Sequence, residues 1–279
     1  MKTALFPALF LLAACAESPT QQTPAPTTPT LTKLWVTAGF NAPEGVAAAP
    51  QGGYFISNVA GDGGERDAHG WISLISADGA MITERFIDGL NAPKGMVVLD
   101  NEIYIADIDR IVVHDASNGN FERVIAVPGA SFLNDATVWR GNVYVSDSRN
   151  ARIHQINMDS APIWLEDERL GGVNGLLGDG ERMLITTMRS GSIYETGPQK
   201  TLTQVTAGII DADGIGLAPG GYLTSAWRGD IFYVTTDGEK TKFIDTRDEE
   251  ILQNDLSVFG DLVIVPNWQP GTVTGWRIE

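Results

Sequence analysis

Pro43-Glu44-Gly45-Val46, Pro93-Lys94-Gly95-Met96, Asn134-Asp135-Ala136-Thr137, Val173-Asn174-Gly175-Leu176, Ala212-Asp213-Gly214-Ile215 and Asn254-Asp255-Leu256-Ser257 are six variants of one phrase. With Glu44, Lys94, Asp135, Asn174, Asp213 and Asp255 taken as equivalent, the successive spacings are 50, 41, 39, 39 and 42 residues. Between phrases the chain reads as short apolar runs separated by Gly, Asn and Asp turns, with no long helical periodicity. In the second unit the runs are Gly95–Leu99, Glu102–Ala106, Ile111–His114 and Arg123–Val127. Tight links at Asp100-Asn101, Arg140-Gly141-Asn142 and Pro219-Gly220-Gly221 fall where hairpins need positive φ. A period near forty with four short strands in each predicts an all-β, six-bladed β-propeller.

The sixth unit offers only three strands, Leu256–Phe259, Leu262–Val265 and Val273–Ile278, while Leu34–Ala38 is a spare strand at the other end. Docking the spare strand outermost in the last blade closes the ring and removes two open edges.

Composition narrows the function classes. The 279 residues carry a formal net charge of −16, which repels phosphate backbones, and no run of Lys and Arg interleaved with aromatics offsets it. Nucleic acid is therefore excluded as a partner. Cys15 is the only cysteine, so a disulfide within the chain and a cysteine-based zinc site are both excluded.

Lys2 is followed by an apolar run, Ala4 to Ala14, which is too short to span a bilayer but has the length of a signal-peptide core. It ends Leu12-Ala13-Ala14-Cys15, which resembles the bacterial lipobox. The resemblance implies that residues 1–14 are removed and that Cys15 takes the lipid. Ala16, where an Asp would signal retention, then favours the outer membrane of the cell envelope. Residues 15–32 are Pro- and Thr-rich and read as a tether; residues 33–279 are left for the propeller. The expected partners are a membrane, through the anchor at Cys15, and a small-molecule substrate for a monomer.

Propeller strands alternate in direction, so the start of each first strand and the end of each second strand share one face. Glu44, Asn134, Asn174 and Asp213 then ring one mouth of the central channel, with Asn58, Asp107, Asp147, Ser225 and Asn267 at the second-strand ends. The first unit is the longest, and its excess, Val59–Gly70, falls on the same mouth, where a mobile lid is expected. The spacing within Gly61–Asp67 fits neither a phosphate loop nor an EF-hand.

From Leu34 to Glu279 these units resemble the regucalcin/gluconolactonase family, which is related to paraoxonases and diisopropyl-fluorophosphatases. The resemblance rests on Glu44-Gly45 in the first unit, Asn134-Asp135 in the third, Asn174-Gly175-Leu176 in the fourth and Asp213-Gly214 in the fifth. It implies one divalent cation, Ca²⁺, held by Glu44, Asn134, Asn174 and Asp213. It also implies lactone or ester hydrolysis, with Asp213 as general base and Asn134 holding the substrate oxygen. Two carboxylates and two amide oxygens suit a hard cation.

Lys94 departs from the family pattern, as does Ala136 where Gly is usual. Two readings of Lys94 stand open: an ion pair with Asp107 or Glu44, or an ammonium that binds a carboxylate-bearing substrate. Lys94, Asp107 and Asp147 are the candidate substrate-binding residues. Asn254-Asp255 either adds a donor or caps a turn. His114 and His154 fall on third strands, away from the channel, and His69 borders the lid. No Gly-x-Ser-x-Gly elbow and no His-Glu-x-x-His pair occurs, and Gly214-x-Gly216 lacks the context for a nucleotide. A non-enzymatic ligand-binding or scaffold propeller, or a sensor of sugar acids, remains the alternative to a hydrolase.

Overall fold

Strands buried from end to end need neighbours on both faces, and this chain supplies them. Gly70–Ile75 and Gly221–Ala226 are buried along their whole length, whereas the outer strands Met81–Leu90 and Lys240–Asp245 are largely exposed. The computed structural model describes Met1 and residues 28–279, in which six antiparallel sheets form the blades of a propeller. Cys15, the signal segment and most of the tether lie outside the described residues. Apolar clusters fill the spaces between adjacent blades, as where Ala47 and Phe55 of the first meet Met96 and Ile105 of the second.

The last blade is completed by the strand Leu31–Ala38, which runs antiparallel to Thr272–Ile278 with Leu31 opposite Ile278 and Ala38 opposite Thr272. This is the closure expected from the spare strand. It begins at Leu31, inside the stretch read as tether, so the folded unit starts earlier than residue 33. The Trp35 indole fills the space beside Gly79 of the first blade and Gly275 of the last, where a Cβ at either glycine would collide with it. One side chain thus plugs the seam between the chain's two ends.

The innermost strands are Pro43–Ala48, Pro93–Leu99, Leu133–Trp139, Val173–Asp179 and Ala212–Ala218, with Ser257–Phe259 in the last blade. In the first five the ladder to the second strand slips at one equivalent point, for example between Pro43 and Val46 and between Ala212 and Ile215. Such a bulge re-aims the residues inside it. The amide it frees is taken by a second-strand hydroxyl in four blades: Gly45 N–H donates to Ser57 Oγ (2.7 Å), Asp135 N–H to Ser146 Oγ (2.9 Å), Gly175 N–H to Thr186 Oγ1 (2.7 Å) and Gly214 N–H to Ser225 Oγ (2.9 Å).

This register corrects the alignment of the phrases. Pro43, Pro93, Leu133, Val173 and Ala212 pair with the second-strand ends, so the equivalent residues after them are Glu44, Lys94, Asn134, Asn174 and Asp213. Asp135 belongs one step on, in the slot held elsewhere by Gly45 or Gly95. That slot faces the neighbouring blade at very close range. A Cβ on Gly45 would lie 2.6 Å from the Lys94 carbonyl oxygen, and one on Gly95 would lie 2.6 Å from that of Asn134. Gly175 and Gly214 abut Asp213 and Asp255 as tightly.

Gly45→Ala should therefore destabilise the domain by about 1–3 kcal/mol, because the atoms in the way are backbone of the next blade and cannot rotate aside. Gly180→Ala, where a Cβ would meet nothing, carries only the strain of positive φ. Thermal melting of the two variants checks the difference, and equal losses would contradict the close approach.

Candidate functional site

In five blades the bulge turns one side chain toward the same end of the axis, and Asn254, between two short strands of the sixth, joins them. Glu44, Lys94, Asn134, Asn174, Asp213 and Asn254 all line a single cavity of about 390 Å³ at the channel mouth. All six are nearly inaccessible to bulk water. The four residues expected to hold a cation are thus brought together, with Asn254 as a further oxygen beside them.

Their electrostatics follow from burial. Desolvation, with Asp213 close by, raises the Glu44 carboxyl well above its usual value, and the Lys94 ammonium only partly opposes this. Asp213 is pushed up to about 8 by burial first, and then by the charges of Asp135 and Asp211, against a smaller lowering by the Asn174 amide. One turn deeper, Asp135 and Asp255 line the narrower continuation of the channel. Burial pushes Asp135 up to about 7 although two backbone amides, Ala136 and Leu176, donate to it. Asp255 is raised by burial and by Asp135, Asp213 and Glu44.

Whether such a floor suits a cation can be judged from its unused oxygens. Asn134 Oδ1 and Asp213 Oδ1 are buried with no hydrogen-bond partner, a costly condition unless something else satisfies them. Two carboxylates and neighbouring amide oxygens match the all-oxygen shell of a hard divalent ion. A positive charge there would also lower the same carboxyl pKa values that burial raises. Among the described residues no group of three or more His, Cys, Asp and Glu side chains could hold a metal by itself, so the amides are essential to any such shell.

Lys94 resolves differently from both ion-pair readings. Its ammonium donates to the carbonyls of Gly63 (2.8 Å) and Ala92 (3.1 Å) and sits 4.4 Å from the centre of the Phe132 ring. Among the described residues it forms no ion pair with Glu44 or Asp107, and burial lowers its pKa. Gly63 belongs to the long insertion, which crosses the mouth and places Asp62 and Gly63 in the cavity wall. The insertion thus lies at the mouth, as its place in the first unit implied, and is held by two contacts: Lys94 on Gly63, and Arg66 on Asp109 of the second blade at 2.7 Å.

Asp107 and Asp147 require correction as substrate-binding residues. Neither lines the cavity, and both are wholly buried. Asp107 accepts from the amides of Asn91 and Ala92 and from the Arg110 guanidinium. Asp147 accepts from the Phe132 amide and from Asn150. Asn58 does the same for the Asn41 amide. These three second-strand ends fasten the chain entering their own blades' innermost strands, whereas Asn267 Oδ1, the counterpart in the sixth blade, is buried without a partner.

His114 and His154 lie on third strands, with Nδ1 bonded to the carbonyls of Gly119 and Ala161, and His69 sits on the insertion beside Asp67. None borders the cavity. The residues that sequence reasoning missed are the hydroxyls that fix the bulges and the apolar wall of the cavity. That wall is Met188, Trp227 and Trp268, each next after the last residue of a second strand that pairs with the third, in the fourth, fifth and sixth blades. Their shared offset from the second strand was the available signal.

No protein-family model and no curated protein sequence matches the chain. Solved structures share its fold. A gluconolactonase from Xanthomonas campestris superposes with a TM-score of 0.68 at 14% identity, covering 89% of each chain. Virginiamycin B lyase from Staphylococcus aureus gives 0.66 at 13% identity over 90% of this chain and 99% of the lyase. A chain of a nidogen/laminin complex gives 0.66 at 17% identity, covering 78% and 84%. At these identities the likeness is one of architecture.

The buried carboxyls set a pH dependence. In the unfolded chain Asp135 and Asp213 titrate near 4, whereas in the folded protein they hold their protons to about 7 and 8. The folded state binds more protons, so their contribution to stability is full below the unfolded values and is lost as pH rises through 7 and 8. In chelator-treated protein the melting temperature should fall from pH 5 to pH 8.5. The double variant Asp135→Asn/Asp213→Asn should show a flatter profile; an unchanged slope would contradict the raised values.

Proposed function

We propose that this propeller hydrolyses lactones or related esters at the channel mouth, with one divalent cation, calcium by donor chemistry, held by Glu44, Asn134, Asn174 and Asp213. The observation that carries this reading is the pair of orphaned buried oxygens, Asn134 Oδ1 and Asp213 Oδ1, on a floor that gathers two carboxylates and two amides. A bound cation would supply Lewis-acid polarisation of the scissile carbonyl.

The chain's own groups do the rest. Asp213 would also take the proton of the attacking water, through the carboxylate oxygen that the cation leaves free. Asn134 keeps the substrate oxygen over the floor. Lys94 has spent two of its three N–H bonds on backbone carbonyls, so a single donor remains for an anionic group on the substrate. The insertion, fastened through Gly63, limits access of bulk water to the same space.

The fold neighbours include both a gluconolactonase and a lyase that replacement of one histidine by alanine leaves catalytically inactive. The lyase therefore depends on a histidine. Here His69, His114 and His154 all stand off the cavity, which favours hydrolysis at a carboxylate and amide floor. The reading extends to the envelope: Cys15 carries the lipid that tethers the propeller to the outer membrane.

Protein beginning at residue 28 should hydrolyse members of a lactone panel, and chelation should abolish turnover. Asp213→Ala should lower kcat/KM by about 10²-fold or more, the usual contribution of a positioned base. Hydrolysis indifferent to both treatments would exclude this mechanism. Calcium-dependent stabilisation without turnover would instead mark a binding or scaffold propeller. For the anchor, Cys15→Ser should move the expressed full chain from the membrane fraction to the soluble fraction, and continued membrane retention would sink the lipidation.

A further inference from the structure

The cavity has a polar floor and an apolar side. On that side Met188, Trp227 and Trp268 occupy blade-equivalent positions in three successive blades, each next after the last second-strand residue paired with the third strand. The two indoles meet edge to face, with centroids 5.7 Å apart and planes at 87°, and both remain partly exposed. A perpendicular pair of this kind offers an incoming ring one indole face and one indole edge, both favourable aromatic geometries.

Across the cavity Phe132 lies between the Lys94 ammonium at 4.4 Å and the Arg149 guanidinium at 4.6 Å. Its π-system is already engaged by two cations, which leaves the indoles as the free aromatic surface. Trp268 also borders a second depression of about 890 Å³ between the last blade and the first, lined in part by Phe40, Leu252 and Pro270. A group lying on Trp268 therefore has room to run on beyond the central cavity.

We infer that the ligand is an ester or lactone bearing a flat apolar arm, selected by Trp227 and Trp268, and not a polyhydroxylated sugar lactone. The reacting group in this statement rests on the hydrolase reading; the arm rests on the wall alone. A sugar ring can lay its C–H face on one indole, but its edge hydroxyls against Met188 and the second, perpendicular indole would be left unpaired, at a cost for each. An aryl group loses nothing there and buries apolar area. Trp227 and Trp268 are thus specificity-determining residues.

The test uses protein from residue 28 onward, which contains every blade and the closing strand, with calcium present. Two ketones that cannot be hydrolysed, 3-phenylcyclopentanone and cyclopentanone, are titrated by quenching of indole fluorescence and by calorimetry. The phenyl ketone should bind about tenfold more tightly or better, the gain expected for a stacked and buried ring. Trp268→Leu, which keeps apolar bulk but removes the aromatic face, should erase most of that gain, as should Trp227→Leu. In turnover, γ-phenyl-γ-butyrolactone should exceed D-glucono-1,5-lactone in kcat/KM.

Equal affinity for the two ketones, or a gain that survives both leucine variants, would overturn the inference. So would preference for the sugar lactone, which would leave the hydrolase reading standing. Tight, tryptophan-dependent binding of the phenyl ketone with no lactone turned over would uphold the ligand class and sink the hydrolase.

Discussion

The whole molecule depends on how closely six innermost strands approach one another around the axis. Backbone meets backbone there: the Gly45 position looks onto the Lys94 carbonyl, Gly95 onto that of Asn134, and Gly175 and Gly214 onto the blades that follow them. No side chain fits in those contacts without displacing a neighbouring strand. The ladder slips at the same place in five blades, and the slip turns the preceding residue to the mouth. Close packing and site construction are therefore one event. The residue before each slot becomes a cavity residue because the slot itself has no room.

Where the slot is not glycine the consequence is electrostatic. Asp135 and Asp255 place carboxyls in the channel below the mouth, near Glu44 and Asp213, and each of the four has its pKa raised chiefly by burial. Four carboxyls in one channel cannot all ionise without a compensating charge. The protein can keep them protonated or match them with a cation. The cation proposed above would also meet the orphaned oxygens of Asn134 and Asp213, whereas a proton on Asp213 would leave the Asn134 oxygen unsatisfied. Backbone amides from Ala136, Leu176 and Leu256 already serve the deeper pair, so the unmet demand is concentrated at the mouth.

The period and the turns made the six blades legible from the sequence, and a spare strand at one end with a missing one at the other made the closure legible. The donors at the mouth were legible because strand alternation alone assigns them a face. The register was not. In Asn134-Asp135 and Asn254-Asp255 two oxygen-bearing residues stand side by side, and only backbone proximity decides which enters the cavity. Asp107 and Asp147 were misread for a related reason: the end of a second strand borders both the mouth and the corner leading into the first strand, and hydrogen bonding draws these carboxylates to the corner. Lys94 was undecidable because its main partner, Gly63, is contributed by an irregular insertion with no periodic pattern to place it.

The same geometry explains why the site is lopsided. Every blade offers one position at the start of its first strand and one just past the last pair between its second and third, so six of each surround the axis. The first set is nearly all oxygen, with Lys94 as the exception. The second set runs from Val59 and Ile108, which pack beneath the rim, to Met188, Trp227 and Trp268, which line the open side. The insertion covers the mouth where the second set is small and buried, and Lys94 fastens it there. Its first residues also reach the sixth blade, where Val59 packs with Trp268 and Gly61 borders the depression that Trp268 also lines. The cavity thus joins an oxygen-rich floor to an apolar side on the fourth, fifth and sixth blades, and the two surfaces meet because both sets of positions are fixed by the same strand pairing.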